Sequence, residues 1–149
     1  MPTAWEADFP QLGTWTQTSV ATKTYNCVAY AAGDDSKWWD PLPPGHYHWP
    51  EKIGENQGYR LERFVALYQW LGYKPCANGT LEKAKEKIVL YANEYGGFEH
   101  VARQLPDGKW TSKMDIDEDI THDTPQSLGG ARYGEPVKFM ERPKKAARK

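Results

Sequence analysis

The sequence has no apolar run approaching membrane-spanning length, only two cysteines and almost no excess of charge, and each shortage excludes something. Its 149 residues carry 19 Lys and Arg against 20 Asp and Glu, a formal net charge of −1. A chain so balanced has no overall field with which to gather nucleic acid or an anionic membrane surface. Only Arg142-Pro143-Lys144-Lys145-Ala146-Ala147-Arg148-Lys149 is strongly basic. A short basic run of this kind reads as a solvated, disordered tail, with nucleic-acid contact through it the minor alternative. Met1-Pro2-Thr3-Ala4-Trp5-Glu6 has neither the basic n-region nor the apolar h-region of a secretory signal, so a soluble, cytoplasmic protein is expected, with non-Sec delivery as an effector left open. In that compartment Cys27 and Cys76 are expected as free thiols. There is no internal repeat.

The length suits one hydrophobic core. A single domain is therefore expected over residues 1–141, opening with an irregular arm over 1–23 and followed by the tail over 142–149. What the chain has in abundance is flat surface: seven Trp and nine Tyr. Asp34 to Pro50 is a long loop dense in Pro and Trp, and loops of that length are usually functional. Its Trp38, Trp39 and Trp49 suit the wall of a cleft, with Trp38 and Trp39 as substrate-binding candidates.

Thr24 precedes a helix-compatible run, Tyr25 to Ala32, closed by Gly33, which predicts a helix of about two turns with Cys27 in its first turn. Unpaired N–H groups and the positive end of the dipole favour a thiolate there, and the same amides, beside Asn26, could hold an oxyanion. The plainer reading of Cys27 is a small buried hydrophobe. Leu61, Phe64, Val65, Tyr68 and Leu71 recur at helical spacing over Tyr59 to Leu71, with Gly72 as the cap. Tyr73 to Gly79 reads as a turn-rich connection. Strands are expected over Lys87–Ala92, Phe98–Leu105, Lys109–Met114 and Pro136–Met140, with an acidic loop over Asp115–Asp123 and a short helix opened by Thr124-Pro125. The order is two helices and then an antiparallel meander of about four strands, an α+β layout.

His100, on the second strand, is the candidate partner for Cys27, against the plainer reading of a buried sheet histidine. A three-residue turn at Pro106-Asp107-Gly108 would pair Leu105 with Lys109, placing Ser112 on the His100 face; a two-residue turn would put Asp115 opposite His100 instead. Gln104 shares that face in either register. The orienting residue is thus Ser112, Gln104 or Asp115, in that order, with His122 an alternative partner for Cys27. His46 and His48 have strand spacing that would set two imidazoles on one side, but no second ligand pair lies nearby, so no metal and no cofactor is expected.

Tyr25-Asn26-Cys27-Val28-Ala29-Tyr30-Ala31, Trp38-Trp39-Asp40-Pro41, Leu71-Gly72-Tyr73, Glu86 to Ala92, His100 to Lys113 and Glu118 to His122 together resemble a family of small bacterial proteins without an assigned function. In the order of its parts, a cysteine at a helix start and a histidine on a later antiparallel strand, the chain resembles the NlpC/P60 and CHAP branch of the papain-like cysteine hydrolases. That likeness implies a papain-like fold, in which a Cys27 thiolate attacks an amide or ester carbonyl while His100 carries the proton. Aligning Lys87 with the family's base position would leave the site dead; aligning His100 there leaves it competent. The partner implied is a peptide or other amide-containing substrate, with a protein partner possible, no membrane, and no signature of oligomeric state. A catalytically inactive binding module with an aromatic-rich surface is the alternative.

Overall fold

Ile88-Val89-Leu90-Tyr91 is β-branched or aromatic at almost every position, the composition of a strand covered on both faces. It forms the middle of β3 (Lys85–Ala92), in which six consecutive residues from Lys87 are buried. The structure, a computed structural model, describes residues 5–144. Around β3 lie β4 (Phe98–Gln104), β5 (Trp110–Lys113), β6 (Asp119–His122) and β7 (Glu135–Pro143), with the short strands β1 (Trp15–Gln17) and β2 (Lys74–Cys76) at the edges. All pair antiparallel in one seven-stranded sheet of order β1-β6-β5-β4-β3-β7-β2.

This corrects the expected α+β, papain-like (NlpC/P60-like) fold with about four strands. The protein is mostly β, and among the described residues its one substantial helix is α2 (Leu61–Trp70); α1 (Cys27–Ala31) is only five residues long. The three additional strands are short edge and near-edge segments whose extended form comes from long-range pairing rather than local pattern. Pro75 sits in β2 because an edge strand can spare an N–H. The expected acidic loop becomes β6, whose Thr121 pairs with Thr111 on one side and Thr16 on the other. Arg142 and Pro143, assigned to the tail, belong to β7, while residues 145–149 lie outside the described residues.

The sheet has a core on each face. Ile88, Leu90, Val101 and Met140 meet α1, Phe64, Leu67 and Tyr68 on one side. Burying the last three contributes roughly 1.5–3 kcal/mol each. Val89, Tyr91, Ala102, Trp110 and Ile120 face the other way, where Trp5, Phe9 and Leu12 of the N-terminal arm cover them with Leu128 and Tyr133. Trp5 Nε1 donates to Glu118, tying the arm down. Among the described residues no helix is long and apolar enough to cross a membrane.

Before β7 the chain turns so tightly against β3 that a Cβ on Gly134 would lie 2.0 Å from the Ala92 carbonyl oxygen, at a φ of +71°. Gly13 has a similar φ of +65° with nothing within 4 Å. Urea unfolding should therefore separate the two: Gly13→Ala is expected to cost about 1–2 kcal/mol from backbone conformation alone, and Gly134→Ala clearly more, because the backbone must also move.

Candidate functional site

Asn26, not Thr24, caps α1. Its Oδ1 accepts from the Ala29 N–H at 3.1 Å and the Trp39 N–H at 3.2 Å, while its Nδ2 donates to the Trp39 carbonyl at 2.8 Å. One side chain thus starts the helix and clamps the tryptophan loop to it. Cys27 follows as the first helical residue, 8% exposed within the α1-side core. Burial pushes its thiol up to about 12, the nearby Asp115 carboxylate adds to this, and the amides of Val101 and Val28 and the Lys113 charge oppose it without prevailing. The helix-start argument predicted the opposite direction. Desolvation wins because a single short turn offers little dipole against a fully enclosed sulfur.

His100 lies elsewhere. Val101 packs on the α1 side, so the pleat sends His100 and Ala102 to the other face. There the imidazole stacks flat on Tyr133, centroids 4.2 Å apart and planes 2° from parallel, with Tyr91 at 5.3 Å. It is completely buried, both ring nitrogens lack a partner, and burial, then the His122 and Arg132 charges, hold its pKa well below the ordinary value. The structure does not bring Cys27 and His100 into one site.

The hairpin register is the three-residue one: the Leu105 N–H donates to the Lys109 carbonyl at 2.7 Å, Gly108 has φ +92°, and Arg103 and Gln104 pair with Thr111 and Trp110. The ladder ends there, before Ser112 or His100 is reached. Ser112 instead bonds His122 Nε2 at 2.8 Å, while His122 Nδ1 lies 2.9 Å from the Thr124 carbonyl. A carbonyl can only accept, so Nδ1 carries the proton and Nε2 accepts from the serine. Gln104 Nε2 donates to the Gly79 carbonyl at 2.6 Å. Neither Ser112 nor Gln104 orients His100.

What does surround Cys27 is a cavity of about 160 Å³ lined by Asn26, Val28, Trp39, Asp40, Tyr59, Phe64, Phe98 and Asp115. Phe64 and Phe98 stack at 3.8 Å and 7°, with Tyr59 on the outer side of Phe64 at 6.4 Å and 18°. Asp40 Oδ1 accepts from the Tyr59 hydroxyl at 2.8 Å and the Leu42 N–H at 2.9 Å. Asp115, at φ +52°, comes in from the β5–β6 turn and is paired with Arg132. Among the described residues no Lys, Arg or His lines this cavity. Of the expected tryptophan wall only Trp39 is present. Trp38 lies near Tyr47 outside the lining, and Trp49 packs on Phe64 with its Nε1 bonded to the Ile53 carbonyl.

Sequence reasoning missed Asp40, Tyr59 and Phe98 as neighbours of Cys27, and it offered Asp115 as a residue opposite His100, whereas Asp115 lies beside the Cys27 sulfur. Asp40 adjoins Trp39 and could have been read with it; the others are joined only by folding. His46 and His48 contact Tyr47 and Trp39 respectively, and among the described residues no three His, Cys, Asp or Glu side chains are arranged to hold a metal.

Residues 16–141 match a family described as a domain of unknown function (DUF7689), and the chain belongs to it. The match carries no link to NlpC/P60 or CHAP enzymes. No curated protein and no solved structure matches the chain.

The burial of Cys27 makes a labelling prediction. With iodoacetamide near pH 7.5, peptide mass spectrometry should find Cys76, half-buried, alkylated well before Cys27, which should react at a comparable rate only in urea. The histidines make a second. His122 titrates at about 4 when folded, chiefly because it is buried, against an ordinary 6.5. The unfolded chain thus binds more protons between those values, so stability is greatest above pH 6.5 and falls towards pH 4, by about 3 kcal/mol from this residue. Urea midpoints measured across that range should decline, and less steeply in His122→Gln.

Proposed function

We propose that this member of the DUF7689 family is a binding module, and that the cavity beside Cys27 receives a cationic group such as an alkylated ammonium. The observation that carries this is the lining itself: among the described residues, four aromatic rings and two carboxylates with no cation. Aromatic faces attract ammonium groups through their quadrupoles, by about 0.5–1 kcal/mol in the open and ~2 when desolvated. Arg132 already compensates Asp115, whereas the second oxygen of Asp40 has no hydrogen-bond partner among the described residues, leaving that carboxylate to set the charge of the ligand. The aromatic lining supports the sequence alternative of a binding module, although of the three loop tryptophans only Trp39 takes part. A cytoplasmic setting, in which both thiols stay reduced, accords with the two free cysteines.

One observation favours hydrolysis instead. The amides of Val101 and Val28 lie within reach of the Cys27 sulfur, as they would in a site built to hold negative charge. That reading lacks its expected base, because His100 is buried on the other face.

Calorimetric titration with tetramethylammonium and with trimethyl-lysine separates the two. Saturable binding is expected, weakened roughly tenfold by Asp40→Asn and several-fold by Tyr59→Leu, and unchanged in Cys27→Ser. Absence of saturation, or an Asp40→Asn protein that binds as well as the parent, would overturn the proposal. Turnover of a fluorogenic amide that disappears in Cys27→Ser would establish the hydrolase in its place.

A further inference from the structure

At the opposite end of α1, beside the ends of the interior strands β3, β4 and β7, lies a larger cavity, about 260 Å³, with a contrasting charge. Lys85, Arg103, Arg142 and Lys144 line it against the single carboxylate of Glu86. Glu86 is committed to Arg142, whose Nε lies 2.5 Å from it while Nη1 donates to the Leu71 carbonyl at 2.7 Å. Glu141 reaches Lys85 at 3.7 Å from outside the lining. Two cations are left without a carboxylate among the described residues. One is Lys144. The other is Arg103, half-buried, its guanidinium resting 4.9 Å over the Tyr30 ring with all its donors unassigned.

A guanidinium spread over an aromatic face is held in place while its edge stays free to donate in a planar fork, which is the geometry that phosphate and carboxylate oxygens accept. Tyr73 also lines the cavity, and its hydroxyl makes no hydrogen bond among the described residues; burial pushes its pKa up to about 12, so it keeps its proton and can donate. Leu105 and Pro106 add an apolar shelf beside these groups.

We propose that this cavity binds a phosphomonoester dianion, with the Arg103 fork and the Tyr73 hydroxyl on its oxygens and its organic part against Leu105 and Pro106. Two uncompensated cations match a dianion better than a single carboxylate. The site shares no lining residue with the cavity beside Cys27, and does not depend on what that cavity binds.

The test is titration of the whole chain with phenyl phosphate, inorganic phosphate and benzoate, followed by calorimetry and amide chemical shifts. Phenyl phosphate should bind saturably and more tightly than inorganic phosphate, which lacks the ring, and than benzoate, which lacks the second charge. Its affinity should rise from pH 5 to pH 7 as the second phosphate proton leaves, near 6. Arg103→Gln should weaken it at least tenfold, Arg103→Lys less, and Asp40→Asn not at all. If Arg103→Gln fails to fold, Lys144→Gln is read instead and should lower the affinity about threefold and flatten the salt dependence. No saturation, equal binding of benzoate, or indifference to both substitutions would overturn the assignment.

Discussion

The alternation of side chains along β4 decides what the rest of the molecule can do. Val101 points towards α1 and its two neighbours point away, so the imidazole at 100 is committed to the face that the N-terminal arm covers. A one-residue slip of β4 would exchange them, carrying the imidazole into the α1-side core beside Ile88 and Leu90 and breaking its pairing with Tyr91. The register is therefore fixed by two cores at once. Cys27, carried by α1, is confined to the other side.

The cavity beside Cys27 owes its acidic wall to a lysine that never reaches it. Lys113 is fully buried, and its three ammonium protons go to the carbonyls of Thr22, Asp115 and Asp117 at 2.8, 2.5 and 2.6 Å, with the Tyr25 ring 5.3 Å away. An ammonium has three donors and all three are used, which is how a buried cation is tolerated. The same contacts fold the β5–β6 turn tightly enough to place Asp115 at positive φ, beside the sulfur. Replacing the lysine would leave three carbonyls without a partner, so its burial is a condition of the turn and not an accident of packing.

Much of this could be read from local pattern. The period of three and four from Leu61 to Leu71 gave α2, the β-branched run gave β3, and Pro106-Asp107-Gly108 gave the hairpin, with its register left between a three-residue and a two-residue turn. Thr124-Pro125 opens a 3-10 turn with a reciprocal cap to Ser127, close to the short helix expected there. What was not legible depends on partners far along the chain. Lys74-Pro75-Cys76 is extended because β7 lies beside it, and Asp119 is buried because Tyr25 donates to it at 2.6 Å across 94 residues of sequence. The site failed for a related reason. The helix-start argument weighs dipole against solvent, and it cannot know that α2 and the sheet remove the solvent from Cys27.

Both cavities touch α1, one at each end, and the helix dipole would favour the reverse of the charges assigned to them. Its positive end faces the acidic cavity and its negative end the basic one. For long helices such terminal effects are worth about 0.3–1 kcal/mol, and five residues make barely more than one turn, so the contribution here is smaller still. A carboxylate and an ammonium 4 Å apart interact by about 4 kcal/mol at the effective dielectric of a protein surface. Side chains from the loops and strands, rather than the backbone of α1, therefore determine which ions each cavity attracts. The role left to α1 is mechanical: through Asn26 it sets the tryptophan loop over one cavity, and through Ala31 and Gly33 it forms a wall of the other.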